Sequence, residues 1–312
     1  MGRGIRSSPQ LYFDRSTYWV DAMYKKSRAR YFFLMPGVVW ILAFTFFPLI
    51  FSLYLSFTNA NMRNFTQATW NLVGFQNYAS IGSDLRVGET VVTSLYLTVG
   101  STLLTLILGT FLAWLFNHDL PGLRIFRSIL TMPLFAAPIA LGFMGLILFN
   151  ETSGSINSII RGLGGTGVRW MTDSWSARTA VLLLDTWQWS PFVFVIILAA
   201  MQSIPEELYE AARLDTGSGW AVFRSITFPL IAPALGTVAL LRLVETFKIL
   251  DIPFSMLGGG PGSATQTYSY YVYITGLRNF NMGYASALAY ILVIIAIIIS
   301  TVYFWRVRAR FE

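Results

Sequence analysis

The sequence predicts an all-α membrane protein: six transmembrane helices packed as one bundle, with no soluble domain large enough to fold alone. Three observations carry this. The 312 residues are 55% hydrophobic and only 12% charged, whereas a soluble domain carries about 25% charged residues. Six stretches are long and apolar enough to cross a bilayer, which takes about 20 residues per helix because every backbone polar group must be satisfied within the segment. The cationic residues, finally, favour alternate connections between those stretches.

Taken in order, residues 1–30 form a basic segment with Arg3, Arg6, Arg15, Lys25, Lys26, Arg28 and Arg30. The apolar run behind it is too long for a signal-peptide core, so it reads as a first anchor. The spans are expected at Tyr31–Phe57, Thr90–Phe116, Phe126–Phe149, Ala177–Met201, Pro229–Leu250 and Tyr284–Trp305, making a membrane domain of 31–305 followed by a basic tail, 306–312. With the N-terminus inside, 14 of the 22 Lys and Arg fall on inside segments. That is the positive-inside pattern, with both termini cytoplasmic. The net charge of +7 is therefore topology and gives no reason to expect nucleic acid. Loops near 58–89, 150–176 and 251–283 are rich in Gly, Asn, Ser and Thr. Pro36, Pro48, Pro133, Pro138 and Pro191 fall inside spans, where kinked or locally opened helices are expected.

Several chemistries are excluded. There is no cysteine, and the lone histidine, His118, lies in the short loop NHDLPG with no second histidine to share a metal. No Gly-Lys pair exists to make a phosphate loop. The chain is expected to be no enzyme and to hold no catalytic residue, metal or cofactor. If nucleotide hydrolysis drives it, another chain supplies the ATP site.

The segment 202–228, between the fourth and fifth spans, is the longest inside connection and carries charge. IPEELYEAARLDTG opens with Pro205 at a first helical position and Glu206 and Glu207 in the first turn. Leu208, Ala211, Ala212 and Leu214 fall at helical spacing and leave Glu207, Glu210 and Arg213 for the other face. Gly217 and Gly219 break this helix, and WAVFRSITFP starts a second, short amphipathic helix before Pro229 launches the fifth span. Such an elbow could lie on the membrane surface or dock a partner. Its residues resemble the E-A-A signature of ABC importer permeases, matched at Glu210, Ala211, Ala212, Asp215, Phe223, Ile226 and Pro229; Thr216 stands where the family has glycine, and Gly217 follows. A second stretch, RLVETFKILDIPFSMLGGGPGSAT, resembles the first of the two permeases of the maltose-type carbohydrate-uptake branch.

The resemblance implies a type I importer fold in which the elbow, through Glu210, Ala211, Ala212, Asp215, Gly217, Phe223, Ile226 and Pro229, couples to an ATPase. It implies a second permease subunit, two ATPase subunits holding ATP and Mg, an extracytoplasmic sugar-binding protein, and alternating access for a disaccharide or oligosaccharide. Intramembrane charges are expensive and usually face a cavity or a partner. Arg242, Glu245 and Lys248 follow at i, i+3, i+6 and can pair as a ladder packed on another helix, or form a polar patch for sugar hydroxyls. Trp187 and Trp189 lie near the middle of the fourth span, where an interfacial belt does not explain them. Core packing and stacking on a pyranose both suit them. The family's sugar-lining positions fall on Gln188, Trp189, Phe192, Arg242, Glu245, Thr246 and Ile249. Glycerol phosphate or a polyol is the alternative cargo. An ion-coupled secondary transporter, for which Asp185 is the candidate relay, is the alternative class.

Overall fold

The computed structural model describes residues 28–117, 122–215 and 217–311. The basic segment up to residue 27, His118 and Thr216 lie outside the described residues, as do the side chains of Arg213, Asp215 and the tail 306–311. The chain divides into two compact units, Met1–Tyr54 and Leu55–Glu312. Helix α1, Tyr31–Ser56, supplies the described part of the first. In the second follow α2 (Met62–Thr66), α3 (Gln76–Ile81), α4 (Leu85–Leu115), α5 (Leu123–Thr131), α6 (Pro138–Leu148), α7 (Ser155–Gly162) and α8 (Ser174–Gln202). The remainder are α9 (Glu206–Asp215), α10 (Gly219–Phe247), α11 (Asp251–Leu257), α12 (Tyr268–Tyr273) and α13 (Met282–Phe311). No strand forms among the described residues beyond one isolated bridge, Thr58 to Leu72.

Five helices, α1, α4, α8, α10 and α13, are each long and apolar enough to cross a membrane. The expected third span is not one straight helix. α5 with the 3₁₀ turn Met132–Phe135 meets α6 at a bend of 98°, so Phe126–Phe149 is a broken span or a re-entrant pair. Ala136 and Ala137 are extended, with ψ of 134° and 128°. The cause is Pro138, whose ring clashes with a helical conformation at the residue before it.

Other prolines are absorbed without a break. Pro36 and Pro191 sit inside helices. Pro48 and Pro229 each stand two residues past the end of a π-helical turn, Leu42–Phe46 and Phe223–Thr227, where the N–H of Phe47 reaches Leu42 and that of Phe228 reaches Phe223. The wider turn lets the chain take up a residue without an N–H and stay helical. As a result the expected separate second elbow helix does not exist. WAVFRSITFP is the first part of α10, which runs unbroken for 29 residues.

α8 is the hub. It packs most extensively on α4 and also meets α10 and both arms of the broken span. Lipid tails are as apolar as leucine, so helix association rests on close fit more than on hydrophobic transfer. Gly109 of α4 shows the fit: a Cβ there would come within 2.5 Å of Val193 Cβ and 2.9 Å of the Phe194 nitrogen. Around it Ala113, Val193, Phe194, Ile197, Ile231 and Val238 form the core near the elbow, while Leu97, Val181, Leu184, Ile252 and Met256 form the core near the other end.

At that other end a polar frame fixes the loops. Asp84 caps α4 by accepting from the Arg86 N–H, and its Oδ2 accepts from Tyr271 (2.6 Å) and Tyr284 (2.9 Å). Burial raises the Asp84 carboxyl, but these hydrogen bonds outweigh it and leave it below the ordinary range. Burial, then the bond to Asp84, pushes the Tyr271 phenol up to about 12. The loop GGGPGSAT is held where Ala264 O accepts from Thr93 Oγ1 (2.9 Å) and Arg178 Nε (2.8 Å).

The α4 to α8 fit predicts that Gly109→Ala destabilises the bundle by about 1–3 kcal/mol, as overpacking against backbone does. Gly88→Ala, in the same helix with open space around it, does not lower the detergent melting temperature. Equal melting of both variants would contradict the packing.

Candidate functional site

Two regions collect the chemistry: the elbow, and a polar centre where α4, α8 and α10 meet. In the elbow, Glu206 and Glu207 occupy the first turn of α9, where the helix dipole favours carboxylates. Ser218 then starts α10, its Oγ accepting the Ala221 N–H at 3.4 Å. The inward face of α9 differs from the expected one. Ala212 is buried and Tyr209 half-buried, with Thr227 Oγ1 donating to the tyrosine oxygen at 3.3 Å. Leu208, Ala211 and Glu210 are exposed, and Leu214 is 90% exposed. The ten-residue helix is pinned by Tyr209, so the apolar spacing of Leu208 and Leu214 gives an outer surface instead of a core contact.

Phe223 ties this elbow to the bundle. It stacks on Trp220 at 5.4 Å and lies 5.8 Å from Trp114 of α4 and 6.2 Å from Phe228. Ile226 is half-buried; Gly217 and Pro229 are exposed. Between the elbow and the ends of α4 and α8 opens a cleft of about 740 Å³, lined among others by Asn117, Gln202, Glu206, Tyr209 and Thr227. Asp215 is within α9, its side chain outside the described set.

The polar centre is built from α4, α8 and α10. Arg242 has no exposed surface. Its Nη2 donates to Asp185 Oδ2 at 2.6 Å and to Ser101 Oγ at 3.1 Å, while the Ser101 hydroxyl donates to the same carboxylate oxygen. The guanidinium carbon also sits 4.7 Å from the centroid of the Trp189 ring, a cation–π contact. Trp189 is half-buried and meets Phe192 edge to face at 5.8 Å.

The expected ladder therefore does not form. Lys248 and Glu245 pair at 3.0 Å on a half-exposed surface, and Arg242 turns away to another helix. Burial decides this. A fully desolvated guanidinium gains far more from a buried carboxylate than from a solvated one. Asp185 is 3% exposed.

Gln188, next along α8, is directed elsewhere: its Nε2 donates to the carbonyl of Ala136 at 2.9 Å. That carbonyl is freed by the break at Pro138, so the side chain closes the broken span. Of the other positions named from the sequence, Thr246 is buried one turn beyond Arg242, and Ile249 packs beside Leu97 and Ile252. Trp187 is 47% exposed and belongs to the outer surface of α8. Trp189, Phe192 and Arg242 are thus brought together, whereas Gln188 and Glu245 have other partners.

Ser101 was not singled out, although a signal exists. Thr90, Thr93, Ser94, Thr98, Ser101, Thr102 and Thr105 recur at helical spacing inside an apolar span, and all are buried. Arg242 Nε and Nη1, Thr246 Oγ1, Gln188 Oε1, Thr98 Oγ1 and Thr102 Oγ1 have no partner among the described residues. The centre keeps donors and acceptors in reserve, and its formal charges cancel. No group of three metal-ligating side chains occurs among the described residues.

A bundle of apolar crossings with a broken span, a polar centre and a long elbow defines a multi-pass transport subunit. The chain belongs to the family of binding-protein-dependent transport system inner membrane components, whose model matches residues 105–309. It is 31% identical to the sn-glycerol-3-phosphate transport system permease of Agrobacterium fabrum, covering 90% of this chain and 94% of that one. It is 29% identical to the trehalose/maltose permease of Thermococcus litoralis, covering 87% and 92%. Its fold matches that of a bacterial ABC transporter importing the acidic polysaccharide alginate, with a TM-score of 0.79 at 21% identity, over 94% of this chain and 99% of that one.

Replacing Asp185 by Leu strands a buried cation, which costs about 3–5 kcal/mol. The double variant Asp185→Leu/Arg242→Leu recovers most of that loss. Thermal denaturation of the four proteins of this cycle measures the coupling, and additive losses would contradict the buried pair.

Proposed function

We propose that this chain is the first of two permease subunits of an ATP-driven importer in a bacterial plasma membrane, and that it passes a neutral di- or oligosaccharide inward. The observation that carries this is the charge balance beside a partly exposed aromatic pair. Trp189 and Phe192 offer the apolar surface that suits a pyranose face. Arg242, which lies against Trp189, and Lys248, further along the same stretch, are each paired with a carboxylate. A phosphate or uronate would need a cation free to answer it. This weighs against glycerol phosphate as cargo, although the relatives include carriers of both kinds of solute. An ion-coupled mechanism is disfavoured too, because Asp185, its candidate relay, is already bound by Arg242 and Ser101.

In this reading the elbow faces the cytoplasm, as do both termini. Its exposed Glu210, Ala211 and Leu214, with the exposed turn at Gly217, seat in one cleft of an ATPase dimer that holds ATP and Mg. A second permease fills the other cleft, and an extracytoplasmic binding protein delivers the sugar. The chain makes and breaks no covalent bond. It converts closure of the ATPase into opening of the bundle. Because Phe223 and Arg242 are on the same unbroken helix, a displacement of the elbow carries directly to the centre. The pair with Asp185 makes α4, α8 and α10 travel together.

Purification under mild detergent should bring down a second permease and an ATPase. With the binding protein added, trehalose, maltose or an arabino-oligosaccharide should stimulate ATP hydrolysis and glycerol 3-phosphate should not. Stimulation by the phosphate alone would overturn the cargo assignment. Glu210→Lys is expected to leave the bundle folded but uncouple hydrolysis from uptake; uptake at the wild-type rate would remove the elbow from coupling. Trp189→Ala should cut sugar-stimulated hydrolysis about tenfold, the scale of one lost stacking platform in a desolvated site, without loss of assembly. An unchanged rate would take Trp189 out of the sugar path.

A further inference from the structure

We infer that Asp185, with Ser101, is a specificity-determining and positioning residue: acting through Arg242, it fixes the Trp189 platform and keeps the transport path electrically neutral. This rests on the proposed reading of a neutral-sugar importer.

The geometry supplies each link. Asp185 Oδ2 receives both the Arg242 Nη2 donor at 2.6 Å and the Ser101 hydroxyl. Two helices thereby aim one guanidinium, and the guanidinium lies over the indole of Trp189 at 4.7 Å. Trp189 is the partly exposed member of this chain of contacts; Arg242 and Asp185 are buried behind it. The ring's orientation is thus decided by groups buried behind it. Its charge environment is decided by them as well. Arg242 keeps two unpartnered donor positions, Nε and Nη1, so its capacity to hold an anion is intact and only its charge is cancelled. Removing the carboxylate would leave, beside an aromatic platform, a desolvated guanidinium with free donors. That is the chemistry that recognises a phosphate, sulfonate or uronate.

Asp185 consequently selects among solutes by charge. With it, the path suits neutral polyhydroxylated molecules. Without it, the same bundle should admit anionic ones. Asn at this position keeps an acceptor for Arg242 and Ser101 while abolishing the charge.

The test uses the assembled importer in lipid nanodiscs, with its binding protein omitted so that delivery does not filter the solute, and equilibrium binding of labelled trehalose, maltose and glycerol 3-phosphate to the permease pair as the readout. In Asp185→Asn, the ratio of glycerol 3-phosphate affinity to neutral-sugar affinity should rise about tenfold, the scale of one charged hydrogen bond. In Asp185→Asn/Arg242→Gln the ratio should return to the wild-type value. An unchanged ratio in the single variant, or an equal rise in the double, overturns the assignment.

Ser101→Ala keeps the ion pair and guards against failure of the Asn variant to assemble. Trp189 emission, taken as the difference between each protein and its Trp189→Phe partner, should become more accessible to acrylamide in Ser101→Ala; unchanged quenching removes the positioning role. If wild type binds only glycerol 3-phosphate, the neutral-sugar reading falls, while the quenching measurement still judges positioning by itself.

Discussion

A guanidinium placed in the hydrocarbon region has no water to pay court to its charge, and must find a counter-charge inside the protein. In this bundle Arg242 finds it on α8 and shares it with a hydroxyl from α4. That single requirement joins the crossings that matter most. It sets the rotation of α10, because the arginine must face α8. It sets the rotation of α8 as well, since Asp185 facing Arg242 brings Trp189 beside the guanidinium and sends Gln188 to the broken span. The half-exposed aromatic edge follows from where the ion pair has to be.

The elbow is joined to this centre by continuous helix. From Gly219 to Arg242 the chain never leaves α10, about 35 Å at 1.5 Å per residue. The π-helical turn at Phe223–Thr227 absorbs Pro229 and lets Phe223 reach Trp114. A lever of that length is useful only if it does not bend. The glycine contact between α4 and α8, where Gly109 allows the backbones to approach, removes the slack on the other side.

Much of this architecture was legible in the sequence. The long apolar crossings announce themselves by length, and the E-A-A pattern placed an elbow before the fifth one. Two local features were not legible. Prolines inside spans looked equivalent, yet only Pro138 produces a sharp bend, and Pro48 and Pro229 are accommodated by π turns whose occurrence depends on packing. Along α9, helical spacing alone could not tell which face turns inward, because Tyr209 is anchored by a residue 18 positions away. The centre shows the same limit. Spacing along one helix suggested that Arg242 pairs with Glu245, but the partner lies 57 residues earlier on another helix. Burial, which decides between the two carboxylates, is a property of the assembled fold. The serine and threonine stripe on α4 was the one readable hint that a polar seam runs there.

Whether α4, α8 and α10 move as one body is tested most directly by a distance. The chain has no cysteine, so labels introduced at Leu103 on α4 and Leu241 on α10, both on exposed faces, are the only ones this chain carries, and the partner subunits are used in cysteine-free form. Pulsed electron spin resonance on the assembled importer should give the same distance distribution with ATP bound as without nucleotide. A shift larger than the spread of the labels would show that the buried ion pair does not hold these helices together, and would contradict the account.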